Sequence, residues 1–186
     1  YLSLLANCGA LVVANSQATA NELRSYTQEQ GFPMPAVSVS GLPPGLTPQA
    51  LEGQPQQQSE AWPRPYVLFV GTIEERKRHL DALRAWQMLH GESSGTVIPD
   101  LVCVGRWGWG CQAFQDAWDE AGREASGVYV LSEGVDDSRL ADLYANALAT
   151  IYPSRLEGWG LPVSESLAFG KLPITTDASS LPEAGA

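Results

Sequence analysis

Residues 66–176 predict a doubly wound α/β protein with a parallel sheet, on three observations. Short apolar segments alternate with segments whose apolar residues recur at three- and four-residue steps. The short segments are nearly continuous apolar runs, as expected of strands covered on both faces. Loops rich in glycine or small polar residues follow the strand runs. Strand–helix alternation of this kind gives parallel strands joined by right-handed crossovers.

The elements follow in order. "ALVVANSQATANELRSYTQEQG" (10–31) reads as a short strand, a cap at Asn15 or Ser16, an amphipathic helix and a stop at Gly31. "AVSVS" (36–40) is a second strand. "GLPPGLTPQALEGQPQQQSEAWPRP" (41–65), dense in Pro, Gly and Gln, reads as a linker or surface loop and holds a domain boundary. Beyond it come the strands "YVLFVG", "LVCVG", "GVYVLS", "LATIYP" and "LPITT", separated by the helices "HLDALRAWQMLH", "CQAFQDAWDEAGRE", "DSRLADLYANA" and "VSESLAFG". The third of these helices takes a cap at Asp137 or Ser138. The fourth places Pro162 at its first position, where its missing N–H costs nothing, and ends at Gly170. Ligands of such sheets bind beyond the carboxyl ends of the strands. "GTIEERKR", "GRWGWG", "SEGVDD", "PSRLEGWG" and "TDASS" are therefore the loops of interest.

Composition narrows the function. An apolar fraction of 44% with six tryptophans fills a genuine core. No apolar run reaches the length of a membrane span. The chain opens on Tyr1 within a helix-like segment and stops at "SSLPEAGA", so both ends read as cut. Cys8, Cys103 and Cys111, with only His79 and His90 beside them, lack metal-ligand spacing and read as free thiols of a reducing compartment. The net charge of −10 excludes a general nucleic-acid surface. Against it, Arg64, Arg76, Lys77, Arg78 and Arg84 are five of the eleven cations, and "RKR" is the only run, which points to an anion site.

Two carboxylates bracket the glycine turn of "YPSRLEGWGLPVSESLAFGKLPITT": Glu157 in the turn and Glu165 in the helix that follows. A plainer account makes Glu165 a dipole-stabilising residue and Glu157 a solvated one. Such a turn, however, leaves backbone N–H groups free at a helix N-terminus above the sheet. Arg76 and Lys77 directly follow the first strand of the main sheet. There a guanidinium meets phosphate bidentately and an ammonium adds a point charge. "VGRWGWG" has the order Gly-x-x-Gly-x-Gly, a weak dinucleotide signal. Trp107 and Trp109 read as loop packing. No Asp-x-Asp occurs, so a metal bridging a diphosphate is not expected.

Glu157 and Glu165 with seven residues between them, the flanking glycines, the Leu-Pro and the closing "GKLP" resemble the Glu-x7-Glu signature of retaining family 4 glycosyltransferases, which have the GT-B fold. "YVLFVGTIEERKRHLDALRAW" resembles that family's first strand, phosphate loop and helix, and "ALVVANSQATANEL" the end of its acceptor-side domain. The resemblance implies a Rossmann-like donor domain at 61–186, without its closing helices, after the end of the N-terminal domain plus linker at 1–60. It implies that Glu165 holds the ribose hydroxyls and that Glu157 faces the donor sugar. Arg76 and Lys77 then stabilise the leaving diphosphate, with Gly71 in the phosphate loop. Gly105 and Arg106 wall the nucleotide pocket, and Gly134 and Val135 hold the base by backbone groups, at a turn where the family more often has an aromatic. The N–H groups of Trp159, Gly160 and Leu161 hold sugar hydroxyls or the diphosphate. Arg78 stands where similar enzymes often carry a polar or small residue.

The expected activity is metal-independent, cofactor-free transfer from a GDP- or UDP-sugar, GDP-mannose among them, to a glycan or lipid-linked acceptor. The setting implied is surface polysaccharide or lipopolysaccharide synthesis in the cytoplasm, with any membrane contact made through the missing domain. A non-catalytic sugar-nucleotide module and a dinucleotide-dependent oxidoreductase on the same sheet are the alternatives.

Overall fold

Runs such as Tyr66–Val70 and Asp100–Val104 leave no polar face for water, and both are buried along their whole length. The computed structural model describes residues 2–48, 62–92 and 95–186. In chain order these residues form α1 (Leu2–Asn7), β1 (Leu11–Ala14), α2 (Gln17–Glu29), β2 (Ala36–Val39), β3 (Tyr66–Val70) and α3 (His79–Glu92). They continue as β4 (Asp100–Val104), α4 (Gln112–Glu120), β5 (Val128–Leu131), α5 (Asp137–Asn146), β6 (Ala149–Tyr152), α6 (Leu161–Ala168), β7 (Pro173–Thr175) and α7 (Leu181–Ala184).

The main sheet is parallel and runs β5-β4-β3-β6-β7, so that strands are added on one side of β3 up to β5 and on its other side from β6. That is the doubly wound topology expected, and its switch point lies between β3 and β6. β1 and β2 form a separate parallel pair. Phe69, Leu68, Leu83, Leu101 and Tyr144 are among the largest fully buried side chains. Among the described residues no helix is long and apolar enough to cross a membrane.

Ser16, one of the two expected caps, caps α2 by accepting from the Thr19 amide. Local details depart from expectation at three other points. Asp136, rather than Asp137 or Ser138, caps α5 by accepting from the Arg139 amide. α6 begins at Leu161 after Gly160 in the left-handed region (φ 106°), so Pro162 occupies the second helical position, where no intrahelical donor is required either. The expected boundary near residue 60 lies outside the described residues. Residues 41–48 of the same segment are no free surface loop: Leu46 is buried, and Gly41 lies against the Trp159 ring.

The loops after β3 and β4 approach so closely that a Cβ at Gly105 would sit 2.1 Å from the Gly71 carbonyl oxygen. Backbone cannot yield there as a flexible side chain can, so Gly105→Ala should cost about 1–3 kcal/mol. Gly91→Ala, in the last turns of α3 with open space around it, should instead be neutral or stabilising by up to ~1 kcal/mol. Urea denaturation of the two variants checks both signs.

Candidate active site

The cations of the β3 loop meet the carboxylate of the β6 loop. Residues 75–77 form one 3-10 turn, which Arg78 ends in the left-handed region (φ 64°). That turn directs Lys77 inward, leaving it 8% exposed beside a 9% exposed Glu157. Lys77 Nζ donates to Glu157 Oε1 at 2.5 Å, and Arg76 Nη1 donates to Oε2 at 2.9 Å. Arg76, still 42% exposed, also donates from Nε to Glu74 and from Nη1 to the Leu156 carbonyl, both at 2.8 Å. Burial alone would raise the Glu157 carboxyl, but the Lys77 charge and the hydrogen bonds from Lys77 and Arg76 outweigh it and hold it below the ordinary carboxylate value. Arg78, the weaker candidate, turns away to Asp81 at 2.5 Å, and Arg64 pairs with Asp100. Of the three adjacent cations, Arg76 and Lys77 thus share Glu157, and Arg78 goes to a separate carboxylate.

The glycine turn is clamped from two sides. Ser179 and Ser180, in the loop after β7, both donate to the Glu157 carbonyl, and Ser180 also reaches the Trp159 carbonyl. From the other side, Thr19 donates to the Gly158 carbonyl at 3.4 Å, and Asn15 lies so near that a Cβ at Gly158 would come within 2.9 Å of its amide nitrogen. The N-terminal segment is tethered further by Glu183 of α7, which accepts from the Gln17 and Ala18 amides at 2.7 and 2.8 Å. That carboxylate completes the start of α2 from 166 residues away. The amides of Trp159 and Gly160 have no acceptor among the described residues, and the Trp159 indole N–H is buried without one.

Glu165 is separate from this cluster. It accepts from the Tyr144 hydroxyl at 2.9 Å and from the Gly45 and Leu46 amides, and it is 8% exposed. Burial raises its carboxyl above the ordinary value despite those hydrogen bonds. Gly71, Arg106, Gly134 and Val135 line one cleft of about 520 Å3 at the carboxyl ends of β3, β4 and β5. Lys77 Nζ lies 3.5 Å from where a Gly71 Cβ would stand, so the ion cluster adjoins that cleft at Gly71.

The predicted residues therefore fall into three neighbouring groups: the cleft, the ion cluster, and Glu165 on α6. Trp159, Gly160 and Leu161 form the turn that enters α6. Sequence reasoning missed Tyr144, Ser179, Ser180 and the Gly45–Leu46 backbone. The "TDASS" loop was singled out by its position, but no residue pattern marks its serines as clamps. His79, buried between Phe69 and Phe114 with no partner on either ring nitrogen, is packing: burial and then the Lys77 charge push its pKa down to about 3. Cys103 is buried, Cys111 half-buried and Cys8 exposed, and all three are free thiols. Among the described residues no group of three His, Cys, Asp or Glu side chains is placed to hold a metal ion.

A doubly wound domain with this parallel five-stranded sheet has the architecture of the Rossmann-like domains of GT-B glycosyltransferases. Among solved structures the chain aligns with WaaG, a glycosyltransferase of lipopolysaccharide biosynthesis (TM-score 0.61, 16% identity, 93% of this chain and 46% of that one). It aligns likewise with a UDP-forming trehalose-phosphate synthase from Burkholderia xenovorans (TM-score 0.70, 13% identity, 93% and 48%). The chain belongs to the family "Glycosyl transferases group 1", whose model matches residues 52–185. The resemblance read from the Glu-x7-Glu stretch thus holds at the level of family and fold. Among curated proteins it is 34% identical over 128 residues to O-antigen chain mannosyltransferase B of Escherichia coli, covering 69% of this chain and 32% of that one. It is 28% identical over 184 residues to the serotype-specific mannosyltransferase WbdA of Escherichia coli, covering 94% and 22%. The chain therefore spans a third or less of the length of these curated relatives.

The depressed Glu157 pKa carries a stability consequence. A carboxyl whose folded pKa lies below its unfolded value contributes stability above the unfolded value and loses it as pH falls through the folded one. Glu157→Gln leaves Lys77 buried without its counter-charge, so the variant should be about 3 kcal/mol less stable near neutral pH. The gap should narrow as pH drops below the ordinary carboxylate range. Urea melts of parent and variant at neutral and acid pH measure it.

Proposed function

We propose that the chain is the donor-binding half of a retaining, metal-independent hexosyltransferase, preceded over residues 1–60 by the end of an acceptor-side domain. The whole enzyme would move a sugar from a nucleoside-diphosphate sugar to a glycan or lipid-linked acceptor in surface polysaccharide or lipopolysaccharide synthesis, at the cytoplasmic face of the membrane. GDP-mannose is the donor we favour among GDP- and UDP-sugars, because the curated relatives are named as mannosyltransferases. The observation that carries the reading is the Arg76–Lys77–Glu157 cluster beside the Gly71 cleft.

In this reading the nucleotide occupies the cleft lined by Gly71, Arg106, Gly134 and Val135, with its ribose toward Glu165. Three donors already engage the Glu165 carboxylate, which fixes its orientation and leaves acceptor capacity for a hydroxyl. The diphosphate competes with Glu157 for Lys77 and Arg76. As the cations turn to phosphate, Glu157 becomes available to the donor sugar's hydroxyls, and its charge favours an oxocarbenium-like transition state. The bond from the anomeric carbon to the phosphate oxygen breaks while the acceptor hydroxyl adds from the same face. The acceptor's proton passes to the leaving phosphate. Arg76 and Lys77 supply the positive charge where negative charge grows, the type of preorganised stabilisation that lowers barriers most. The amides of Trp159 and Gly160, and that of Leu161 at the start of α6, add donors on the opposite side.

Calorimetric titration with GDP, UDP and NAD in the presence of a chelator tests the donor class. One nucleoside diphosphate should bind with affinity unchanged by the chelator. Binding of NAD with no nucleoside diphosphate binding would overturn the reading. Arg76→Ala should weaken the nucleoside diphosphate roughly tenfold, the worth of one charge-assisted hydrogen bond, and the nucleoside much less. Equal losses for the two ligands would mean that the loop acts through folding and not through phosphate.

A further inference from the structure

A second cavity, of about 360 Å3, lies between the first turns of α3 and α4, away from the donor cleft. Its polar wall carries both signs, with Glu74, Glu75 and Asp81 beside Arg78, Arg84 and Arg155. Asp81 holds Arg78, whereas Glu75, Arg84 and Arg155 have no ion-pair partner among the described residues. Arg84 and Arg155 are both exposed, so their guanidinium groups are open to a ligand at the cavity. Carboxylates beside them disfavour a purely anionic occupant. Planar groups that donate and accept in the same wall suit a ligand that does both, such as the hydroxyls of a neutral sugar.

The loop that closes one side of this cavity, at Gly110, also carries Trp109, whose side chain is 81% exposed. Large aromatics are well buried on average. Trp107, two residues earlier, packs against Phe114 and Trp118, so the loop is anchored without Trp109. Three backbone bonds hold it to the β3 loop: Ile73 N to Arg106 O at 2.8 Å, Gly108 N to Ile73 O at 3.0 Å and Glu75 N to Trp109 O at 3.2 Å. An exposed indole on a loop whose backbone is held in this way offers a flat apolar face, and the C–H face of a pyranose matches it.

We propose that this cavity and Trp109 form a subsite for a hexose unit of the acceptor glycan, carried by the donor domain itself. The proposal rests on the glycosyl-transfer reading above for the class of its ligand. The subsite is linked to the chemistry through Glu74, which lines the cavity and accepts from Arg76, and through the Arg155 amide, which donates to the Arg76 carbonyl at 2.9 Å.

The test is titration of the 15N-labelled chain with α-linked mannotriose, with maltotriose and with inorganic phosphate, followed by NMR. At least one trisaccharide should give saturable shifts at the Trp109 indole and Gly110, with a Kd on the order of millimolar. Trp109→Ala and Arg84→Gln should each weaken it about fivefold or more, while a nucleoside diphosphate binds both variants as it binds the parent, which establishes their fold. Saturable trisaccharide shifts at Trp109 without any nucleoside diphosphate binding would sink the donor reading and leave the subsite standing. No saturable shift with either trisaccharide overturns the subsite, as do shifts confined to Gly71 and Gly134. Phosphate moving the Trp109 and Gly110 signals where neither sugar does would make the cavity an anion site and the proposal wrong.

Discussion

The site depends on one buried ion pair. Lys77 and Glu157, 80 residues apart, join the loop after β3 to the loop after β6 across the switch point of the sheet. Desolvating two such charges costs several kcal/mol each, and apolar side chains of similar volume often hold loops together as well or better. Stability alone is thus a poor reason for the pair. The proposed function gives that cost a use: Lys77, already desolvated and fixed, needs little reorganisation when a diphosphate replaces the carboxylate. Arg76, more exposed and shared among Glu74, Glu157 and the Leu156 carbonyl, is the more easily recruited of the two cations.

Around this pair the structure tightens by contacts that need small residues. Gly71 and Gly105 let the β3 and β4 loops touch, Gly158 admits Asn15, and Gly41 admits the Trp159 ring. Two of these contacts join the N-terminal segment to the glycine turn, and Glu183 adds a third tie at the start of α2. The segment that follows β2 donates its backbone to Glu165. A carboxylate proposed to bind ribose is therefore also a contact point for residues 45 and 46 of the segment that follows β2. If the ribose binds Glu165 as proposed, donor binding and the position of residues 41–48 are coupled through that shared carboxylate.

The parts of this arrangement that are local in sequence were legible. Apolar runs with both faces covered and helical spacing between them predict the parallel sheet, and the order of the strands' loops predicts where Gly71, Gly134 and Val135 converge. The strand–turn–helix around Glu157 and Glu165 was readable because glycine, proline and apolar spacing each act over a few residues. What was not readable is long-range. Nothing near Lys77 announces that it is buried against Glu157, because burial is set by a 3-10 turn and by a loop 80 residues away. Residues 41–48 look like loose linker by composition, yet their glycines are there for close approach to Trp159 and Glu165. Asp136 took the cap from its neighbours because the helix began one residue earlier than its apolar spacing suggests.

The central claim is that Lys77 and Arg76 exchange Glu157 for the diphosphate of a donor. A crystal structure of the chain bound to a nucleoside diphosphate tests it most directly. The account predicts the base and ribose in the cleft between Gly71 and Val135, with Lys77 Nζ and the Arg76 guanidinium on phosphate oxygens and the contacts to Glu157 lengthened or lost. A diphosphate bound elsewhere, with Lys77 still 2.5 Å from Glu157, would contradict it.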